Sequence, residues 1–294
     1  MISNKYFDHK NNKPIDVEID AINYDLWETL DLDNYFTRHE NGFFIFLQPS
    51  RINNSDEYEY IDPYKVEEHL YSDFHQRRLK CTIDLIGDVF GFNDEFKLLD
   101  LGCGQGHFTS KIKSTFLNVD VSAVDYSISA IKYASKYFDG IDFIVADAYD
   151  LPYSDEYFDI IVCNNIWEHV PDPVFLLEKI KKILKPNGHL ILSTPSRFRI
   201  ENILRIIMGE NVTFMSQNHV TEYSVGQVYE QLKYGGFSNI KNFSPTIDSD
   251  LNPIWNSYKL RFIFYLIRSF LKKRGLENSL NSTMFFLAEK QGGS

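Results

Sequence analysis

Short runs of apolar residues recur through the middle of the chain and alternate with segments whose apolar positions have helical spacing. The runs are rich in Val, Ile, Leu and Phe, which is typical of strands buried on both faces. This alternation predicts a parallel sheet with helices on both faces, whose ligands lie at the carboxyl ends of the strands. The predicted strands are Lys97–Leu101, Val121–Asp125, Ile141–Ala146, Phe158–Cys163 and His189–Thr194.

The flanking regions follow other patterns. Residues 1–62 form an N-terminal extension rich in Asn and Asp, with an Asn41–Gly42 turn before an apolar run at 43–47. Residues 63–294 form the principal domain, with variable segments at about 195–235 and 245–280. The elements predicted around the core strands are a helix over 63–90, helices near 195–208 and 224–234, a strand over 238–243, a cationic helix over 258–273 and a last strand over 283–289 that pairs with the strand near 240.

Composition narrows the possible functions. Apolar residues make up 44% of the 294 residues, enough for a sizeable core. The net charge of -11 argues against a general nucleic-acid binder and favours a small-molecule or glycan partner. The cysteines Cys81, Cys103 and Cys163 include no CxxC pair, so neither a disulfide framework nor a zinc ribbon is indicated. The polar N-terminus and the lack of a long apolar run predict a soluble, cytoplasmic protein.

A glycine-rich turn carries the strongest chemical information. In LLDLGCGQGHFT, residues 98–109, a predicted strand leads through three glycines into a helix. Glycine permits positive φ and close backbone approach, and amides at the start of a helix bind anionic groups. Dinucleotide-binding sites have a similar turn, so the turn alone does not identify the ligand. The residues at the ends of later strands have to identify it. Asp125 in AVDYS can accept hydrogen bonds from two ribose hydroxyls, while Asp147 and the Ala148 amide in VADAYDLP suit an adenine.

Taken together, DLGCGQG, AVDYS, VADAYDLPYSDEYFDIIVCNNIWEHVPDP and LKPNGHLILSTPS resemble the class I SAM-dependent methyltransferases. EHVPDP resembles the ubiquinone-type O-methyltransferases of the methyltransferase type 11 group. The resemblance covers roughly 97–243 and implies a Rossmann-like, seven-stranded, mostly parallel sheet with a helical insertion near the C-terminus. It also implies S-adenosyl-L-methionine (SAM) as cofactor and S-adenosyl-L-homocysteine as product. The implied cofactor-binding residues are Asp100, Gly102, Cys103, Gly104, Gly106, Asp125, Tyr126, Asp147, Ala148 and Asn164.

Two histidines are candidate catalytic residues on the acceptor side. A hydroxyl acceptor is protonated at neutral pH and benefits from a base. His169 lies in the segment that faces the acceptor in similar enzymes, and His219, in QNHVTEYS, resembles a segment that follows the fifth strand. His169 can instead bind the backbone or shape the pocket, and His219 can instead cap the helix that starts near Ser224. Thr221 replaces an Arg that is usual in that segment, which leaves the acceptor class open.

We therefore predict a SAM-dependent methyltransferase that acts on a hydroxyl oxygen of a small molecule, sugar or lipid-linked precursor. The alternatives are an N-methyltransferase of a small molecule, a non-catalytic SAM-binding regulatory subunit and, from a different class, a nicotinamide enzyme. No metal is predicted. The ubiquinone-type relatives have a divalent metal linked to this region, but Asn165 stands where they carry an acidic residue, which leaves too few oxygen ligands.

Two cationic segments have open roles. Tyr71, His75, Arg77 and Arg78 in the first helix can meet the cofactor or the acceptor, or they form a solvated face. The helix around 258–274 can contact a membrane surface or a lipid-linked acceptor. We favour the alternative that it packs on the core with its charges exposed, because its apolar residues surround the axis rather than form one stripe.

Overall fold

A computed structural model describes residues 5–17, 21–23, 36–48, 72–245, 258–274, 278 and 280–292. The strands are β1 Phe7–Asp8, β2 Lys13–Pro14, β3 Thr37–Arg38, β4 Phe44–Ile45, β5 Phe96–Leu101, β6 Val119–Asp125, β7 Asp142–Val145, β8 Phe158–Asn164, β9 Leu184–Pro195, β10 Phe237–Phe243 and β11 Thr283–Lys290. The helices are α1 Asp73–Gly87, α2 His107–Thr115, α3 Ile128–Tyr137, α4 Pro173–Ile183, α5 Ile200–Ile207, α6 Val225–Tyr234 and α7 Tyr258–Lys273.

Within these residues, one sheet has nine strands in the order β10-β11-β9-β8-β5-β6-β7-β4-β3. The six strands from β9 to β4 pair in parallel, whereas β11 is antiparallel to both of its neighbours. From the central strand β5, the chain first builds one side of the sheet through β6 and then builds the other side through β8. This reversal is a topological switch point, where ligands of open α/β sheets bind.

The predicted fold class is confirmed: the sheet is mostly parallel and Rossmann-like, and the five central strands match β5 to β9. The final strand pairs with the strand near 240 as predicted, with Phe285 opposite Phe243. One difference lies at the other edge, where β3 and β4 extend the expected seven strands. β4 belongs to the N-terminal extension and pairs in parallel with β7, Phe44 opposite Ile144.

Helix boundaries follow local capping. Helix α1 begins after Ser72, whose hydroxyl accepts a hydrogen bond from the His75 amide. The part of this predicted helix before residue 72, including Tyr71, lies outside the described residues. Helix α6 begins with a capping box in which Ser224 and Gln227 each bind the other's backbone amide.

Buried apolar side chains cover both faces of the sheet. Leu98, Ile160 and Ile191 pack in one cluster, and Leu99, Ile161 and Leu192 pack in another. Because successive strand residues point to opposite faces, this alternation places helices on both sides. Among the helices that are described, none has both the length and the apolar character needed to cross a bilayer.

Candidate active site

A cavity of about 660 Å³ opens at the carboxyl ends of the central strands. Its volume lies within the range of about 300 to 1,000 Å³ typical of small-molecule sites. Residues from four separate strand ends meet there because parallel strands end at one edge of the sheet. Of the ten residues predicted to bind the cofactor, nine line this cavity: Asp100, Gly102, Cys103, Gly104, Asp125, Tyr126, Asp147, Ala148 and Asn164.

Gly106 is the exception, since it is not among the residues that line the cavity. It precedes helix α2 with φ 77°, in the left-handed region. A Cβ at this position would lie 3.0 Å from Ala134 Cβ and from Phe143 Cε1. Gly106 therefore permits close packing of α2 against its neighbours, and its contact with the cofactor stays a prediction.

Backbone amides of the glycine turn donate hydrogen bonds to strand β6. The amides of Gly102 and Cys103 donate to the Val124 carbonyl at 2.7 and 3.0 Å. The Gly104 amide donates to Asp125 Oδ2 at 2.7 Å. These amides hold the turn in place, so they are already engaged within the protein.

Asp125 lies at the centre of this arrangement. Its Oδ1 accepts from the Ser127 amide at 2.9 Å, and its Oδ2 accepts from Gly104. Burial raises the pKa of Asp125 above its ordinary value, although hydrogen bonds from the backbone of Ser127, Gly104 and Tyr126 oppose this shift. An ionised carboxylate has about four lone-pair positions, so each oxygen can accept a further hydrogen bond from a ribose hydroxyl.

Three other residues of the cavity are held by hydrogen bonds within the protein. Burial raises the pKa of Asp100 to about 6, although the hydrogen bond from the Thr109 hydroxyl opposes this shift. Asp147 accepts from the Tyr149 amide at 2.9 Å, which shapes the turn that contains Ala148. The Asn164 side chain contacts Thr82 and Ser193 rather than capping a helix, in keeping with a ligand contact through its backbone.

Helix α1 contributes a cation to the cavity. His75 and Arg78 are among the lining residues, whereas Arg77 is not. Arg78 is 8% exposed, donates to Asn165 Oδ1, and lies over the Phe108 ring at 5.6 Å. A buried guanidinium beside the glycine turn suits the carboxylate of a ligand.

The two predicted histidines meet in the same cavity. The His169 and His219 rings pack edge to face, with centroids 5.0 Å apart. His169 Nδ1 lies 3.1 Å from the Asn218 carbonyl oxygen, and His219 Nδ1 lies 2.9 Å from Glu222 Oε1. Because carbonyl and carboxylate oxygens only accept, each Nδ1 carries hydrogen, and each neutral ring has its lone pair on Nε2.

Behind His219 lies a buried ion pair that sequence patterns did not reveal. The Glu222 side chain has no exposed surface and accepts hydrogen bonds from Arg199, the Met215 amide and His219. Burial raises the pKa of Glu222, but hydrogen bonds from His219 and Met215 and the charge of Arg199 outweigh it and lower the pKa below its ordinary value. The alternative that His219 caps the following helix is wrong, because Ser224 is the N-cap residue of that helix.

Glu168 is fully buried beside the two imidazoles. Its Oε2 accepts from the Thr194 hydroxyl at 2.9 Å, and burial raises its pKa. Its carbonyl accepts from the Val220 amide at 2.8 Å and so fixes the segment that carries His219. Glu168, His169 and His219 offer potential metal-ligand atoms within 4.8 Å of one another. This set has one carboxylate, unlike the oxygen-rich sets of hard cations; the absence of a metal stays a prediction.

Sequence comparison identifies the family. A family model described as a methyltransferase domain matches residues 92–241. The mitochondrial ubiquinone biosynthesis O-methyltransferase of Schizosaccharomyces pombe is 33% identical over 143 residues, 44% of this chain and 50% of that enzyme. The ubiquinone biosynthesis O-methyltransferase of Rickettsia canadensis is 25% identical over 201 residues, 65% of this chain and 84% of that enzyme. The matched region thus spans half the length of the first relative and most of the second.

Solved structures share the fold. Phosphoethanolamine N-methyltransferase 2 of Haemonchus contortus, solved with SAM, has a TM-score of 0.55 at 16% identity over 91% of this chain and 72% of its own. A chain from the Haloferax volcanii complex of the Trm112 methyltransferase activator with a methyltransferase has a TM-score of 0.56 at 18% identity over 81% of this chain and 98% of its own. The predicted family is confirmed: the chain belongs to the methyltransferase domain family.

Proposed function

We propose that this chain transfers a methyl group from SAM to a hydroxyl oxygen of a small molecule, sugar or lipid-linked acceptor. The observation that carries the proposal is a single cavity lined both by the residues expected to contact an adenosyl group and by two imidazoles. The curated relatives, which are named O-methyltransferases, support oxygen as the acceptor atom.

Each part of the cofactor has a matching group in the cavity. The two oxygens of Asp125 suit the ribose hydroxyls, and Asp147 with the Ala148 amide suits the adenine. Arg78 and the first turn of α2 suit the methionyl carboxylate. When bound, SAM supplies an electrophilic methyl group on a sulfonium, so the protein mainly has to orient the acceptor and exclude water.

His219 is the better placed of the two candidate bases. Its Nε2 can accept the proton of the acceptor hydroxyl, while Glu222 orients the ring through Nδ1 and stabilises the imidazolium that forms. Arg199 helps to keep Glu222 ionised in its buried position. His169 packs against His219 and has its own Nδ1 fixed by the Asn218 carbonyl, so it shapes the pocket or replaces His219 as the base.

Methyl-labelled SAM tests the proposal directly. The full chain is incubated with SAM carrying a ¹³C methyl group and with cell extract, and the labelled products are isolated and identified by NMR. We expect a methoxy carbon. A labelled N-methyl product would support the alternative acceptor, and tight SAM binding with no labelled product in any fraction would support a regulatory subunit.

The role of His219 is tested by substitution. We expect His219→Gln to reduce the rate of labelled methoxy formation by about 10² to 10⁴-fold, the usual contribution of a general base, with SAM affinity unchanged. The same rate measured for the His169→Gln variant shows which of the two imidazoles acts as the base. Equal rates in His219→Gln and the unmodified chain would contradict proton transfer by His219.

A further inference from the structure

Helix α7 presents large apolar side chains to solvent. Phe262, Tyr265, Leu266 and Phe270 are between 50% and 68% exposed. Their spacing of three, four and eight residues from Phe262 places them on one face of the helix. These four side chains do not pack on the core, and the predicted core contact of the opposite face stays a prediction. Clustered apolar residues in water mark an interaction surface, which we call the α7 face.

The charge of the same helix restricts its partner. The sequence 258–273 contains five Lys and Arg residues and neither Asp nor Glu, in a chain whose net charge is -11. Lys272, Lys273 and the following Arg274 are exposed at the C-terminal end of the helix. A partner must therefore accept aromatic and aliphatic side chains and, beside them, carry negative charge.

We infer that the α7 face binds the surface of an anionic lipid bilayer. The apolar side chains enter the boundary between headgroups and acyl chains, and Lys272, Lys273 and Arg274 contact the lipid phosphates. None of the described helices can cross a bilayer, so α7 lies in the plane of the interface. The acidic remainder of the chain is repelled by such a surface, which leaves α7 to make the contact.

The position of α7 in the chain relates this surface to the cavity. Nine residues connect the end of α7 to β11, whose first residue, Thr283, pairs with Pro195 at the carboxyl end of β9. The Ser196 amide also donates to the Ser282 carbonyl at 2.9 Å. The connection from α7 therefore reaches the sheet at the edge where the cavity opens. Binding of α7 to lipid does not require methyl transfer, but it would bring this edge close to acceptors in the membrane.

Vesicle sedimentation with the full chain tests the inference. We expect the protein to partition onto phosphatidylcholine vesicles that contain phosphatidylglycerol, to bind pure phosphatidylcholine much less, and to dissociate as salt is raised. Lys272→Glu with Lys273→Glu should lower the partition coefficient by roughly thirty-fold or more, from the usual contribution of two cations at an anionic surface. Phe262→Ser with Phe270→Ser should lower it by roughly ten-fold or more.

Matched substitutions elsewhere control for general effects. Leu117 is 69% exposed and Lys111 is also exposed, both outside α7, so Leu117→Ser and Lys111→Glu should leave partition unchanged. Circular dichroism and SAM affinity should be the same in all variants, since the substituted side chains are exposed and none lines the cavity.

Several outcomes would overturn the inference: absence of binding to either vesicle, equal binding to both, or undiminished binding by the α7 variants. Light scattering, which measures the oligomeric state, provides a further test. If the chain forms dimers that Phe262→Ser with Phe270→Ser dissociates, and vesicles do not bind, a second copy rather than lipid covers the α7 face.

Discussion

At the scale of single residues, Asp125 connects two parts of the site because its carboxylate holds the amides of Gly104 and Ser127 together. We expect Asp125→Ala to weaken SAM binding by about 1 to 3 kcal/mol, the cost of leaving buried hydrogen-bonding groups without a partner. Isothermal titration calorimetry measures this loss. Asp84→Ala, which removes an exposed carboxylate paired with Lys80, is the control. An unchanged dissociation constant in Asp125→Ala would refute the ribose contact.

Asp100 makes the stability of the protein depend on pH. Burial raises its pKa from 3.8 to about 6 in the folded state, so folding keeps its proton in a range where the unfolded chain loses it. The resulting stabilisation is complete below pH 3.8 and is lost as the pH rises through 6, by roughly 3 kcal/mol for one buried carboxyl. Asp100→Asn removes this titration.

The measurement is urea unfolding of both proteins between pH 3.5 and 7, conditions spanning the window set by that shift. The difference in unfolding free energy should move in favour of Asp100→Asn by roughly 3 kcal/mol as the pH rises. Asp84→Asn, at an exposed site, should run parallel to the unmodified chain. Parallel curves for Asp100→Asn and the unmodified chain would mean that folding leaves the pKa of Asp100 unshifted.

Residues on the cofactor side of the cavity were predictable because each follows a buried strand in an ordered set of motifs. Arg199 and Glu222 were not, since they are 23 positions apart and their contact depends on how helix α5 and the loop after it fold back. Such a pair has no periodicity or motif in the sequence. The hydrogen bonds from the Gly102 and Cys103 amides to the Val124 carbonyl were also not predictable, because they depend on the register of β5 against β6.

At the scale of elements, Gly106 sets the distance between α2 and the sheet. We expect Gly106→Ala to destabilise the protein by about 2 to 4 kcal/mol, because alanine is unfavourable at positive φ and its Cβ overpacks against Ala134 and Phe143. Gly226→Ala is the matched control. Its Cβ would meet nothing within 4 Å inside helix α6, so it should be neutral or stabilising by up to about 1 kcal/mol.

Urea unfolding followed by circular dichroism measures both glycine variants. Equal stability of Gly106→Ala and Gly226→Ala would show that α2 can move away from its neighbours at little cost. Because Gly106 does not line the cavity, the folded fraction of Gly106→Ala should still bind SAM.

The central strands were predictable because long buried runs identify them without knowledge of their partners. β3 and β4 have two residues each, and β4 pairs with a strand about 100 residues away. An apolar run at 43–47 was visible, but whether it forms a strand depends on β7 accepting it at the sheet edge. Contacts this distant in sequence have no local signature.

At the scale of the whole molecule, ligand binding distinguishes methyl transfer from nicotinamide chemistry. A ligand that binds only the folded state at 100 times its dissociation constant adds about 2.7 kcal/mol to the unfolding free energy. We expect S-adenosyl-L-homocysteine to raise the melting temperature accordingly and NAD to leave it unchanged. A shift with NAD and none with either adenosyl ligand would overturn the cofactor assignment.

Strand β4 also protects its neighbour. Its Phe44 and Ile45 occupy the outer side of β7, and the Phe46 amide donates to the Val145 carbonyl at 2.8 Å. A shortened chain that began at residue 72 would retain every residue that lines the cavity. The outer edge of β7 would then face water, because its backbone N–H and C=O groups would lack their strand partners. Exposed strand edges of this kind pair with strands of other molecules. Trimming the chain to its recognisable family region would thus yield a protein prone to aggregate.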